Sequence, residues 1–157
     1  MDEPPAPTRR AGRLFIIDRR QRILLFSCFD PTRPEAGSWW FTPGGGAEPG
    51  ESVEDAARRE GLEETGLVVD QLGPPVFRRH ASFEFEHLHY EQEDVFFLVR
   101  VNSHRVDDRA WTEDERRVMT GHRWWSAGEL AATSELIYPI GLSDVLDEIG
   151  AFGPAPT

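Results

Sequence analysis

The chain has 157 residues, a net charge of −11 and one cysteine, Cys28. That length suits one domain able to bury a real core, and an acidic surface speaks against sequence-independent nucleic-acid binding, which needs a basic face. A single cysteine forms no internal disulfide, no apolar run approaches a membrane span, and the N-terminus lacks a signal-peptide core, so the expected location is the cytoplasm. Ten Phe and five Trp argue against disorder, while the Pro-rich ends, 1–9 and 151–157, are expected to be flexible around a domain at 10–150.

In chain order, "GRLFIID" (12–18) and "RILLFSCF" (22–29) are apolar and β-prone, and the polar Arg19-Arg20-Gln21 between them predicts a hairpin. "DPTRPEAGS" is a loop. A short strand "WWFT" then runs into the glycines of "PGGG". Ser52 is an N-cap with Asp55 three residues on, and Gly66 is a natural stop, so a helix lies between them. After Gly73-Pro74-Pro75, "VFRRHASFEFEH" and "EDVFFLVRV" predict a pair of strands. "DDRAWTEDERRVMTG" reads as a polar loop and "HRWWS" as a strand. A brief helix over Ala127 to Ala132 and an amphipathic one over Tyr138 to Ile149, with Ile140, Val145, Leu146 and Ile149 inward, complete the chain. Strands interleaved with a few helices predict a layered α/β domain with a mixed sheet.

The stretch "ARREGLEETG" carries the chemistry. Successive helical side chains turn by about 100°, which places Ala56, Ala57, Glu60 and Glu64 on the stripe that Val53 begins, with Glu63 at its margin. A surface helix places its glutamates opposite its apolar face; here the apolar face continues into two carboxylates. Carboxylates four residues apart on an inward stripe repel each other and lose solvation, and a hard divalent cation such as Mg²⁺ or Mn²⁺ removes both costs. The ordinary alternative is an acidic helix end. Gly61 costs about 0.5–1 kcal/mol inside a helix, and close approach of another backbone is the expected reason.

Gly45, Glu51 and "REGLEETGL" (59–67) together resemble the Nudix box, Gly-x5-Glu-x7-Arg-Glu-U-x-Glu-Glu-x-Gly-U, where U is a bulky aliphatic residue. Every fixed polar and glycine position matches; Gly61 departs at the first U. "WWFTPGGG", the strand order and "WWSAGEL" extend the resemblance over about residues 10 to 150. It implies a single-domain α/β/α sandwich and a Mg²⁺- or Mn²⁺-dependent hydrolase that cleaves the pyrophosphate bond of a nucleoside diphosphate linked to another moiety. A non-hydrolysing nucleotide sensor is the alternative. By the same resemblance Glu60, Glu64 and the Gly44 carbonyl ligate metal, Glu63 is a further ligand or water-orienting group, and Arg59 pairs with Glu51 to hold the loop against the helix. A glutamate from elsewhere completes such sites: Glu93 is favoured as the base, with Glu91 beside it and Glu115 as a rival in the later loop.

Arg78 and Arg79 are candidates for substrate phosphates, since guanidinium groups grip phosphate bidentately; the alternative is a solvated strand face. His87 and His89 share a strand face by alternation but have no third zinc ligand. Trp39, Trp40, Trp124 and Trp125 are mostly core candidates, with base stacking as the sharper reading. "GGGAEPG" lacks the Gly-Lys-Ser/Thr of a phosphate-binding P-loop. Position 83, sixteen past Leu67, is Phe, so the proline that accompanies ADP-ribose hydrolysis in the family is absent, and Phe83, Glu84 and Phe85 offer no tyrosine for dinucleoside polyphosphates. The expected partner is a small nucleotide or nucleotide derivative, with no membrane, and a homodimer stays open.

Overall fold

The computed structural model describes residues 8–153. The strands are β1 (Thr8–Ile17), β2 (Arg22–Phe29), β3 (Ser38–Phe41), β4 (Gly44–Gly46), β5 (Phe77–Phe85), β6 (Leu88–Arg100) and β7 (Met119–Ser126). The helices are α1 (Val53–Thr65), α2 (Glu113–Val118), α3 (Ala127–Ala132) and α4 (Leu142–Glu148). Hydrogen bonding orders the sheet β3-β2-β1-β6-β5, with β4 added to β1 and β7 to β2. Only β1 and β6 among these pairs run parallel, so the sheet is mixed.

Alternation along β1 divides the core. Leu14 and Ile16 join Leu24, Phe26, Val95 and Phe97 under α1, whereas Phe15 and Ile17 join Ile23, Leu25, Phe96 and Trp125 under α3 and α4. Helices therefore cover both faces, which makes the domain an α/β/α sandwich.

Gly12 brings α1 onto β1. A Cβ there would overlap the Val53 carbonyl and lie 2.9 Å from the Ala57 nitrogen, so only glycine admits the helix at this depth. Gly61 plays a different part from the one expected: its missing Cβ makes room for the Leu14 side chain of β1, not for a second backbone. Ser52 Oγ caps α1 by accepting the Asp55 N–H at 3.1 Å, and Gly66 ends it at φ 77°, as the sequence predicts.

Other boundaries moved. Thr112 and Glu115 close a capping box inside the stretch read as loop, and it becomes α2. The last helix starts only at Leu142, after Pro139 and a left-handed Gly141, which leaves Ile140 66% exposed instead of inward. β6 begins at Leu88, earlier than the apolar run suggests, because β5 and β6 join through Glu86 and His87, both at positive φ. His87 therefore sits in the turn and does not share a strand face with His89. At the ends, Thr8 and Arg9 belong to β1 and Ala151 is buried; residues 1–7 and 154–157 of the expected flexible termini lie outside the described part.

Candidate active site

A cleft of about 1220 Å³ opens between the glycine strand β4, the C-terminal half of α1, the β5–β6 hairpin and α2. α1 delivers its carboxylates there because its stripe is set by packing: Val53, Ala56 and Ala57 are buried, and the same face continues through Glu60 to Glu64. Glu64 is only 4% exposed. Its Oε2 accepts the Gly44 N–H at 3.0 Å, and no Lys or Arg lies within salt-bridge distance among the described residues. Burial holds the Glu64 carboxyl well above the usual carboxylate range, with Glu60 and Glu115 adding to the rise. Burial also raises Glu60, with Glu63 and Glu115 in the same direction and Arg59 opposing.

Glu60, Glu64 and Glu115 converge, each offering an oxygen within 4.8 Å of the others. Three carboxylates at that spacing, one of them buried without a cationic partner among the described residues, fit a hard divalent cation. Glu115 is held from behind: its Oε1 accepts the Thr112 N–H at 3.0 Å while Thr112 Oγ1 accepts the Glu115 N–H at 3.1 Å. Capping the helix with one oxygen leaves the other for the cleft.

Arg59 ties the front of the site together. It grips Glu51 with two bonds of 2.9 Å and also donates to Glu60 Oε1 and the Gly46 carbonyl. The grip pulls Glu51 down to about 2 and pushes Arg59 up. Glu63 lines the cleft, half-exposed, with an oxygen 3.8 Å from Arg59. Gly44 lines it as well; the contact observed is through its amide, while the expectation concerned its carbonyl.

Glu93 stands apart. Gln92 lines the cleft and the buried Asp94 binds Arg13 and Arg79 beneath it, so alternation turns Glu93 to the other face of β6, where it meets Arg10 and Arg78. Glu91, on that same side, accepts from His89, Ser82 and His80, which bring it to about 2. The residue that joins the α1 carboxylates is Glu115, the rival set lower on sequence. Its signal was the "TEDE" capping box, which places it on a short fixed helix and not in a mobile loop.

The two arginines separate in the same way. Arg79 lines the cleft and lies 5.6 Å from the Tyr138 ring centroid, whereas Arg78 does not line it. Sequence reading missed Arg9, Arg13, Phe83 and Tyr90 as cleft residues, because their side chains share the site only once β1, β5 and β6 pair. Of the tryptophans, Trp39 reaches the cleft, Trp125 is buried, Trp40 packs edge-on against Trp125, and Trp124 has the Arg22 guanidinium over its ring.

Known proteins share this fold. Solved structures with the same fold include a MutT protein from Methanosarcina mazei Go1, with TM-score 0.66, 20% identity, and coverage of 95% of this chain and 97% of that one. An Ap4A hydrolase from C. elegans aligns with TM-score 0.59, 16% identity, and coverage of 93% and 98%. Among curated relatives, the mouse oxidized purine nucleoside triphosphate hydrolase is 40% identical over 50% of this chain and 46% of its own length. Nucleoside triphosphatase NudI of Salmonella schwarzengrund is 49% identical over 40% and 45%. The chain thus spans less than half the length of these curated relatives. The family model for the NUDIX domain, however, matches residues 7–140, taking in β1, the box helix and the Glu115 helix together. With most of its length and all three carboxylates inside that match, the chain belongs to the Nudix family.

Proposed function

We propose that the protein is a pyrophosphohydrolase that uses Mg²⁺ or Mn²⁺ to cleave a nucleoside diphosphate linked to another moiety, a nucleoside triphosphate or a related derivative. The observation that carries this reading is the convergence of Glu60, Glu64 and Glu115 on one point of a wide cleft. The mouse and Salmonella relatives, both named for action on nucleoside triphosphates, support that substrate class.

Glu60, Glu64 and Glu115 would hold the cation, with the Gly44 carbonyl as a further candidate ligand. Bound there, it would supply charge to offset the phosphate oxygens and to make water a better nucleophile. The chain's own contribution is placement. Arg59 keeps Glu60 and the β4 backbone fixed relative to each other, which holds the ligand set rigid through turnover. Glu63, half-exposed at the cleft edge, is placed to orient water or accept its proton. In this reading Glu93, on β6, ties β1 and β5 together through Arg10 and Arg78, and Glu115 is the glutamate from outside the helix that completes the site. Retention of the full acidic set supports turnover over a nucleotide sensor. Location in the cytoplasm goes with this reading; no helix among the described residues is long and apolar enough to cross a membrane.

A screen of nucleoside triphosphates and nucleoside diphosphate derivatives with Mg²⁺ or Mn²⁺, scoring released phosphate species, tests the proposal. Metal-dependent release that EDTA abolishes is expected. Undiminished turnover in excess EDTA would overturn it.

A further inference from the structure

Five arginines line the cleft: Arg9, Arg13, Arg33, Arg79 and Arg117. Four are committed to acids. Arg13 and Arg79 both bind the buried Asp94 at 3.0 Å, Arg33 lies 3.7 Å from Glu84, and Arg117 lies 2.6 Å from Glu86. Arg9 has no carboxylate within salt-bridge distance among the described residues, in a protein whose net charge is −11.

Its guanidinium is nonetheless fixed. It lies 5.6 Å from the Tyr90 ring centroid, and Tyr90 in turn stacks on Phe83 with centroids 5.2 Å apart. The backbone of Gly46 also lies against the guanidinium, where an added Cβ would fall 2.6 Å from the Arg9 Cζ. Gly46 adjoins Gly45, whose own Cβ would fall 2.8 Å from Glu60 Cδ. Gly45 and Gly46 face opposite sides of β4, so Glu60 and Arg9 enter the same cleft from the two faces of that strand. A planar fork lying against a ring and a glycine backbone, with no hydrogen-bond acceptor for its donors among the described residues, is built to receive a phosphate.

We infer that Arg9 is a phosphate-binding residue of the cleft, gripping a non-bridging phosphate oxygen of a nucleotide bound there, and that Gly46 lacks a side chain to make room for it. This rests on the hydrolase reading for its substrate class. The four committed arginines shape the cleft; Arg9 takes the anion.

The test pairs two measurements on the full chain. Calorimetric titration of inorganic pyrophosphate at saturating Mg²⁺ reads the anion site, and turnover of a nucleotide panel reads the chemistry. Arg9→Ala weakens pyrophosphate at least tenfold and raises KM for the hydrolysed nucleotide similarly, with kcat changed less than threefold. Arg9→Lys, which keeps the charge but not the fork, recovers only part of the loss. Gly46→Ala reproduces the Arg9→Ala weakening with an unchanged melting temperature, because the flexible end of Arg9 yields to the new methyl. Turnover by the wild-type protein together with unaltered pyrophosphate affinity in Arg9→Ala overturns the Arg9 assignment alone. Arg9-dependent pyrophosphate binding without turnover of any nucleotide sustains Arg9 and overturns the hydrolase reading. Neither binding nor turnover overturns both.

Discussion

Two helices meet at the acidic cluster, and they are made differently. α1 runs from Val53 to Thr65, is anchored to β1 through Gly12 and presents Glu60 and Glu64 from a buried stripe. α2 spans only Glu113 to Val118, has no buried residue, and holds its shape by a capping box and an ion pair to the hairpin tip. One wall of the site is fixed by core packing along its length; the other meets the core only at its end, through Val118, and otherwise relies on polar contacts at the surface. The packed wall tolerates loss of a ligand without losing shape; the polar wall depends on small interactions for its position.

The largest effect expected is at the packed wall. Glu64→Gln should lower kcat at least a hundredfold, about 2.7 kcal/mol in barrier. The fold should survive, because the amide oxygen still accepts the Gly44 N–H. Melting without metal sharpens the point. Burial raises the folded-state pKa of Glu64, so the metal-free protein loses stability as pH climbs from the unfolded value of about 4.3 toward that raised pKa. Near neutrality the variant should therefore melt no lower than wild type and lose the rise in melting temperature that Mg²⁺ gives the parent. A variant that melts lower and still responds to Mg²⁺ would show that Glu64 is a structural acid.

Next comes the polar wall. Glu115→Gln should cost kcat at least tenfold with little change in KM, while Glu93→Gln, whose partners Arg10 and Arg78 lie outside the cleft, should stay within about twofold of wild type, a barrier change under about 0.5 kcal/mol. The reverse ranking in steady-state kinetics would return the role to β6 and break the contrast between the helices.

The same contrast explains what was legible in the sequence. α1 announces itself twice, by Ser52 and Gly66 at its ends and by an acidic stripe that follows its apolar face, so its extent and two of its carboxylates could be read from local spacing. The two sandwich faces follow from strand alternation in the same direct way. Glu115 and Glu93 could not be ranked by spacing, because which one reaches α1 depends on how β6 lies beside β1 and where α2 docks. A residue's nearness to an apolar strand says that it is rigidly held, not which face it leaves. Arg9 was invisible for the same reason: its partners Gly46 and Tyr90 come from two other strands, brought together only by pairing with β1.

A middle-sized effect concerns the clamp that joins loop to helix. Arg59 holds the Glu51 carboxyl at about 2, so the pair contributes stability that is fully present above the unfolded pKa of about 4.3 and is lost as pH falls through about 2. Glu51→Gln should melt lower than wild type at pH 7, and the gap should close as both proteins are taken through that acid window. A gap independent of pH would mean that the carboxylate charge is not what holds Arg59.

The smallest effect is the most specific to the polar wall. Arg117 leaves α2 to meet Glu86 at 2.6 Å, and Glu86 is itself fixed by donating its N–H to the buried Asp30 at 3.1 Å. The hairpin tip thus anchors the helix that carries Glu115, although neither Arg117 nor Glu86 touches the other carboxylates. Both partners are partly exposed, so solvent keeps the contribution of the pair small, and salt weakens it further. Arg117→Met keeps much of the aliphatic stem and removes the charge. It should leave the melting temperature within about 2 °C, since one surface pair is a small part of a domain of this size. Its kcat should fall two- to threefold at low ionic strength, the cost of a Glu115 held less often in place. Raising the salt concentration should bring wild type down toward the variant, because the parent has the ion pair to lose and the variant does not. Equal salt responses in the two proteins would show that the ion pair does not position α2, leaving that to the Thr112–Glu115 capping box, the Arg116 bond to the Asp108 carbonyl and the packing of Val118.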